Sequence, residues 1–376
     1  MNDSKIPAWA NMIVLPLLNI FFAFAFAAII FIAVDVNPIE AAKVMINGAL
    51  GYQEGIGYTL YYATNFIFTG LAVAVAFSAG LFNIGGEGQA YIGGLGVGLA
   101  CLGLDHVLPF WAILPITMIA SMLFGAAWAF IPAYLQAYRG SHIVITTIMF
   151  NFIASSLMVY LMVNVLKLDG QMAPVSRLFE SNAVMPMFHE ILKWFGLSFS
   201  ESPMNLSFII ALFCCVLVWL LLWRTRWGYA IRAMGASPTA AEYGGINHKR
   251  LIIIVMLISG ALSGMLSLNE VQGYSQQLKL DFVAGYGFTG IAVCLIGRNH
   301  PVGIILASIL FGVLYQGGAE LSFDFPNIDR EMIQVVQGLV VLFSGALSFM
   351  LVKPAERLFV YLDEKKQSRT ALKAEA

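Results

Sequence analysis

Residues 251–270 read LIIIVMLISGALSGMLSLNE, an apolar run that meets no charge until Glu270. A helix crosses the hydrocarbon of a bilayer with about 20 such residues, at about 1.5 Å of rise each. Ser259, Ser263 and Ser267 recur every fourth residue, with Gly260 and Gly264 beside them. Small side chains on one face let two backbones approach closely in lipid, where apolar surface alone gives helices no reason to associate. The run therefore reads as a transmembrane helix with a packing face. Asn269 and Glu270 end it on the outer side, where water reaches them as readily as protein does.

The rest of the chain agrees with that solvent. Of 376 residues, 60% are hydrophobic and only 11% are charged. A soluble domain carries about 25% charged residues, so this chain is expected to be an all-α polytopic membrane protein. Ten spans are predicted, at about 11–34, 59–79, 88–104, 110–137, 141–166, 205–223, 251–269, 282–297, 301–318 and 332–352. Residues 1–352 form one transmembrane domain, and 353–376 form a charged tail. The first run is too long for the apolar part of a signal peptide and no small-residue cleavage site follows it, so it reads as a retained span. The third and eighth spans are short and glycine-rich, the mark of broken helices that line a pathway. Net charge is −1, which gives no reason to expect nucleic acid.

Basic residues orient the chain. With ten spans and the N-terminus inside, 14 of the 20 Lys and Arg fall on the cytoplasmic side, among them Arg224, Arg226, Arg232, Lys249, Arg250 and Arg298. Short cytoplasmic loops carry that excess. Both termini are thus expected in the cytoplasm. Residues 167–204 become a long external loop, with a short amphipathic helix predicted from Met187 to Phe199. Residues 224–250 become the longest internal loop between spans.

Three segments carry chemical information. Gly80–Gly98 reads GLFNIGGEGQAYIGGLGVG. Asn83 and Glu87 share a face if the segment is helical, but Gly85, Gly86 and Gly88 argue against a continuous helix, at about 1 kcal/mol each relative to Ala. Two readings stand on the residues alone. One is a broken helix with Glu87 facing a polar pathway. The other is a solvated turn between two spans.

Residues 224–250 read RTRWGYAIRAMGASPTAAEYGGINHKR. Ser237 can cap a short helix that opens on Pro238, runs to about Tyr243 and stops at Gly244 and Gly245. A small face of Ala236, Ala240 and Ala241 suits a groove in a partner protein; an ordinary basic loop is the plainer alternative. Asp281–Arg298 contains Gly285-Tyr-Gly-Phe-Thr-Gly290, formally a dinucleotide fingerprint. That motif needs a βαβ unit, which an apolar membrane chain does not offer. A glycine-rich broken helix with Tyr286 and Thr289 as polar handles fits better.

Asn65, Asn151, Gln316, Gln334 and Gln337 lie within spans and are expected to bond neighbouring helices. Cys101, Cys214, Cys215 and Cys294 sit in apolar runs and read as packing residues. No histidine pair has zinc-ligand spacing, and neither a phosphate-binding loop nor a nucleophile elbow occurs. No catalytic residue and no metal site is therefore expected.

GLFNIGGEGQ, RAMGASPTAAEYGGIN, SGALSGM and GYGFTGIAVCLIGRNHPVG, taken in order, resemble the blocks of bacterial ABC importer permeases of the simple-sugar and nucleoside group. These are related to ribose and branched-chain amino-acid permeases, and the resemblance covers roughly residues 55–350. It implies a permease subunit in the bacterial plasma membrane, not an enzyme. It implies three partners: a cytoplasmic ABC ATPase that uses the ATP, a second homologous permease or a copy of this chain, and an external substrate-binding lipoprotein. This chain would bind no cofactor itself. Carried over by position, Gly235, Ala240, Ala241, Gly245 and Ile246 would contact the ATPase. Asn83, Glu87, Gln89 and Tyr286 would lie on the translocation pathway. Met234 and Ser237 depart from the Val and Asn of many relatives, which leaves the substrate subgroup open. Nucleosides or simple sugars are the expected cargo, with branched-chain amino acids the alternative. An ion-coupled transporter would also have ten spans and broken helices, but no reason for a docking loop at 224–250. A membrane enzyme would need a cluster of catalytic groups at one membrane face.

Overall fold

The computed structural model describes residues 15–343 apart from Asp169, Phe195 and Asp329. In chain order the helices are α1 Leu15–Ala33, α2 Pro38–Leu50, α3 Gln53–Ser78, α4 Gly86–Leu104, α5 Phe110–Arg139, α6 Ile143–Leu161, α7 Phe188–Trp194, α8 Ser207–Arg224, α9 Arg226–Ala236, α10 Pro238–Tyr243, α11 His248–Gly264, α12 Tyr286–Ile296, α13 Pro301–Asp324 and α14 Arg330–Val341. Two π-helical segments continue α6 and α11, at Met162–Leu166 and Leu268–Ser275. Among the described residues no strand forms beyond two isolated bridges, Val175 with Lys279 and Met187 with Asn205.

Every predicted span falls on a helix, but not every helix is long and apolar enough to cross a membrane. Among the described residues six are, and a seventh is reached if α1 and α2, bent by 116°, count as one span. At 11 residues, α12 rises only about 16 Å. Residues 1–14, the end of the last predicted span and the tail at 353–376 lie outside the described residues. Residues 38–50, which lie between the first two predicted spans, form α2. Two expectations are corrected. The glycines of Gly80–Gly98 do not break α4, which runs unbroken from Gly86. The helix at 251–269 does not stop at Asn269 but winds on as a π-helix to Ser275.

The chain divides into two compact units, residues 1–44 with 318–376, and residues 45–317. In the first, α1 packs on α14, with the rings of Phe26 and Phe343 centred 4.9 Å apart. In the second, α3 and α11 are interior: 83% and 72% of their apolar windows are buried, against 22% for α5 and α6. The outward faces of α5 and α6 carry Leu123, Phe152 and Tyr160 in the open, the dress of helices that meet lipid.

Small residues hold the larger unit together. Gly260 and Gly264 of α11 lie against Gly125 of α5, so that a Cβ on Gly264 would sit 3.1 Å from the Ser121 carbonyl carbon and 3.4 Å from Gly125 Cα. On its other flanks α11 sends Ser259 Oγ to the Ala72 carbonyl of α3 at 2.7 Å and Ser267 Oγ to the Ala90 carbonyl of α4 at 2.9 Å. Gly93 of α4 meets Gly264 backbone to backbone. The packing face read from the sequence is therefore real and serves three neighbours. The glycines of α4 face helices rather than water, and the close packing they permit outweighs their poor helix propensity. All four cysteines are buried, as expected of packing residues.

The segment between α6 and α8 is pinned to the π-extension of α11 and to the residues just after it. Backbone bonds run from Ser176 N to Leu278 O at 2.9 Å, Phe179 N to Gln276 O at 2.8 Å and Met185 N to Gln272 O at 3.1 Å. Its short helix α7 lies within the stretch where an amphipathic helix was predicted. Beyond α4, fully buried Asp105 receives both Arg177 guanidinium nitrogens, at 2.6 and 2.9 Å, and the Glu180 amide at 3.2 Å. The hydrogen bond from Arg177 is the main reason that the Asp105 carboxyl is held below its usual range, helped by the Glu180 amide and opposed by burial.

Two outcomes are expected. Gly264→Val should destabilise the protein by about 1–3 kcal/mol, the usual cost of overpacking; an unchanged melting temperature in detergent would show that the seam parts freely. Because the folded-state pKa of Asp105 is depressed, its contribution is present above the ordinary carboxylate pKa of about 4 and is lost as pH falls through the lower folded value. Protease resistance of residues 167–187 should hold at neutral pH and fall in strong acid, and Asp105→Asn should lose it at neutral pH.

Candidate functional site

The turn from Gly80 to Gly85 joins α3 to α4 and is closed by side chains. Asn83 Nδ2 donates to Gln89 Oε1 and to Ser259 Oγ, both at 2.9 Å, and Asn83 Oδ1 receives the Gly85 amide at 2.9 Å. Asn151 of α6 bonds the same region, from Nδ2 to the Ile84 carbonyl and from the Gly88 amide to Oδ1, each at 2.9 Å. Asn83 and Gln89 are thus buried and bonded to protein. Glu87 has another role. Its two carboxylate oxygens receive the Gly285 and Gly287 amides, each at 2.8 Å. Those are amides at the start of α12, which no turn of its own helix can satisfy. A negative charge there also complements the helix dipole. Gly285 enters α12 at φ +82°, a backbone conformation that suits glycine. The solvated-turn reading of Glu87 is corrected: its carboxylate grips the start of another helix.

A second polar centre lies on the π-helical extension of α11. Glu270 is 3% exposed and Asn269 1%. Glu270 Oε1 receives the Tyr61 hydroxyl and the Asn65 amide of α3, both at 2.5 Å. Asn269 donates to the Tyr61 carbonyl at 3.0 Å and to Asn65 Oδ1 at 2.8 Å, and its own Oδ1 accepts from Asn205 at 2.9 Å and Ser207 at 2.9 Å. Gln272 accepts from Thr117 at 2.9 Å and donates to the Ala183 carbonyl at 3.0 Å. Solvated ends of a span were equally open in the sequence reading; the structure buries them. A charged side chain at this depth is expensive and faces the protein interior. π-helical turns of this kind concentrate at functional sites.

Aromatic rings run beside this centre. The Tyr61 ring is 5.1 Å from Tyr62 and 5.1 Å from Tyr274, which is 45% exposed. Tyr62 continues to Tyr315 at 5.5 Å and to Tyr286 at 6.4 Å, and Phe66 closes the group at 5.0 Å from Tyr315. The hydroxyls of Thr289 and Tyr315 are 3.2 Å apart. Of the four pathway residues named from sequence, Tyr286 belongs to this wall. Asn83, Glu87 and Gln89 belong to the α4 turn. Tyr61, Asn205 and Glu270 were missed; the signal was an ionisable residue touching an apolar run.

Within residues 224–250, α10 folds as read, while α9 was not expected. The Thr225 hydroxyl caps α9 through the Gly228 amide at 3.0 Å, and the Ser237 hydroxyl caps α10 through the Ala240 amide at 3.3 Å. Pro238 opens α10, and Gly245 leaves it at φ +81°. Ala240 and Gly245 are exposed and Ile246 is half-buried, while Ala241 is buried within its own chain. Gly235 is exposed on one side and on the other lies against the Ser78 carbonyl and the Gly80 amide. Tyr243, which the sequence reading used only as a helix end, is 95% exposed.

Residues 55–345 match the family described as branched-chain amino acid transport system / permease component. The chain is 35% identical over 339 residues to the nucleoside ABC transporter permease protein NupB of Lactococcus lactis, covering 88% of this chain and 90% of that one. It is 33% identical over 348 residues to the guanosine ABC transporter permease protein NupP of Bacillus subtilis, covering 91% and 96%. It is 30% identical over 338 residues to the glucose ABC transporter permease protein TsgB13 of Haloferax volcanii, covering 90% and 88%. No solved structure matches. Buried polar centres between apolar helices agree with these relatives: the chain belongs to the branched-chain amino acid transport system permease family and is a multi-pass permease subunit of an ABC importer, not an enzyme.

Proposed function

We propose that this permease carries nucleosides across the plasma membrane, in ten spans with both termini in the cytoplasm. The aromatic wall of Tyr61, Tyr62, Tyr274, Tyr286 and Tyr315 is the observation that carries the proposal. Stacking on an aromatic face suits any nucleobase, and hydroxyl and amide groups beside the wall suit a ribose. The nucleoside and guanosine relatives support the same cargo. The glucose relative supports simple sugars as a second reading, since a sugar would use the polar groups without the stack.

The family and relatives support three partners, and exposed surfaces offer places for them. A cytoplasmic ATPase would receive α10 through Ala240, Gly245 and Ile246, with Gly235 behind them. Tyr243 adds a fully offered ring, and aromatic anchors of that kind dominate docking energies. Ala241, buried in its own chain, would support the helix rather than touch the ATPase. The second permease, or a second copy, completes the pathway. A substrate-binding lipoprotein would dock on residues 167–204 from outside. The chain itself would hold no cofactor, and the ATP would be used by the partner.

Three outcomes are expected. Deleting the gene should abolish uptake of labelled nucleosides while branched-chain amino-acid uptake continues; loss of sugar uptake alone would favour the second reading. Tyr243→Ala or Ala240→Arg should leave the permease inserted but reduce ATPase co-purification about tenfold or more, with transport falling in parallel; normal uptake would remove α10 from the docking surface. Glu87→Ala should leave two α12 amides without their acceptor and cost about 1–3 kcal/mol, read as a lower melting temperature and reduced transport. Wild-type values for both would mean that the clamp is dispensable.

A further inference from the structure

Glu270 is set up to bind something. It is a carboxylate buried in the spanning region, yet among the described residues no lysine or arginine stands within ion-pair distance of it. Its two hydrogen bonds come from neutral donors, Tyr61 and Asn65, and both fall on Oε1. Oε2 accepts no hydrogen bond among the described residues. A buried charge satisfied on one side only is costly, and a membrane protein gains nothing in packing from it. The neighbourhood narrows what could complete it. Tyr61, which bonds the carboxylate, meets Tyr274 ring to ring at 5.1 Å, and Tyr274 opens towards solvent under Lys279, whose Nζ lies 5.3 Å from its ring centre. Asn65 and Asn269 are already bonded to each other at 2.8 Å, so the carboxylate is the acceptor left over.

In dinucleotide sites an acidic residue accepts a hydrogen bond from a ribose hydroxyl, and an aromatic face suits a base by stacking. We propose that Glu270 is a substrate-contacting residue of the pathway, its carboxylate accepting the vicinal 2′- and 3′-hydroxyls of the nucleoside ribose while Tyr61 and Tyr274 flank the passing molecule. Tyr61 and Asn65 are positioning residues: they fix the carboxylate through Oε1 and leave Oε2 for the sugar. The inference rests on the nucleoside reading and adds to it which part of the cargo this chain recognises, and with which group.

The experiment compares guanosine with 2′,3′-dideoxyguanosine in proteoliposomes that hold the complete importer with its binding protein. Glu270→Gln keeps the shape and an acceptor for Tyr61 and Asn65 but removes the charge. It should lower guanosine transport about tenfold or more, as losing hydrogen bonds to a charged acceptor does, and change dideoxyguanosine transport less than about twofold. The binding protein is common to both variants, so its own selectivity cancels in the ratio. Tyr61→Phe, which keeps the carboxylate, should retain most of the preference for guanosine. Equal losses for the two substrates in Glu270→Gln would make Glu270 a structural residue and overturn the proposal, as would wild-type transport of both. If Glu270→Gln does not assemble with its ATPase, Glu270→Asp takes its place: selective loss of guanosine supports the proposal and equal loss overturns it. Failure of the wild-type importer to move guanosine at all would instead overturn the nucleoside reading, and this inference with it.

Discussion

Where α5 meets α11, at Gly125, Gly260 and Gly264, no side chain stands between the two backbones. In lipid that closeness replaces the hydrophobic drive that holds a soluble core together. Everything in the larger unit is arranged around it. With α5 seated on one side, α11 is free to give its serines to α3 and α4, through Ser259 and Ser267. The three contacts fix the rotation of α11. That rotation aims Asn269, Glu270 and Gln272 inward once the helix has wound past Ser267.

Several polar side chains within the unit are satisfied by a neighbouring helix or turn. Asn83, Gln89 and Asn151 tie the turn ahead of α4, Glu87 ties α12 to α4, and Asn205 and Ser207 tie α8 to α11. A buried polar group without such a partner costs as much as several packed methyl groups gain. The bonds therefore specify which helix lies beside which, where packing of similar apolar faces would leave choices open. Glu270 is bonded through one oxygen alone, and it lies beside Tyr61, whose ring meets Tyr274, the most exposed ring of the wall.

Local signals were legible and distant ones were not. Ser237, Pro238 and Gly245 announce α10 because caps and breakers act within one turn, and the helix stands where they put it. The serine and glycine spacing of 259–267 likewise predicts its own packing. At 38–50 Glu40, Lys43 and two missing apolar turns hid a helix, although Asn37 ahead of Pro38 is a capping signal and its side chain does accept the Ile39 amide at 3.0 Å. The glycines of α4 misled for the opposite reason. Their propensity is a local property, and the neighbours that overrule it come from residues as far away as Gly264. Glu270 looked like the end of a span because a charge usually marks one; only the placement of Tyr61 and Asn65, some 200 residues earlier in the chain, makes it an interior residue.

The glycine at 235 has a mechanical consequence. It sets the segment ahead of α10 directly on the main chain at the end of α3, where even a Cβ would stand 3.1 Å from the Gly80 amide. From Gly80 the chain turns into α4, and Glu87 in the first turn of α4 grips the amides of α12. The three links are main-chain contact, covalent turn and paired hydrogen bonds. Only the last runs through a side chain, that of Glu87, and its two hydrogen bonds hold both carboxylate oxygens in place. A load applied at the tip of α10 therefore reaches α12 as a stiff linkage with almost no play, and the first turn of α12 carries Tyr286 into the aromatic wall.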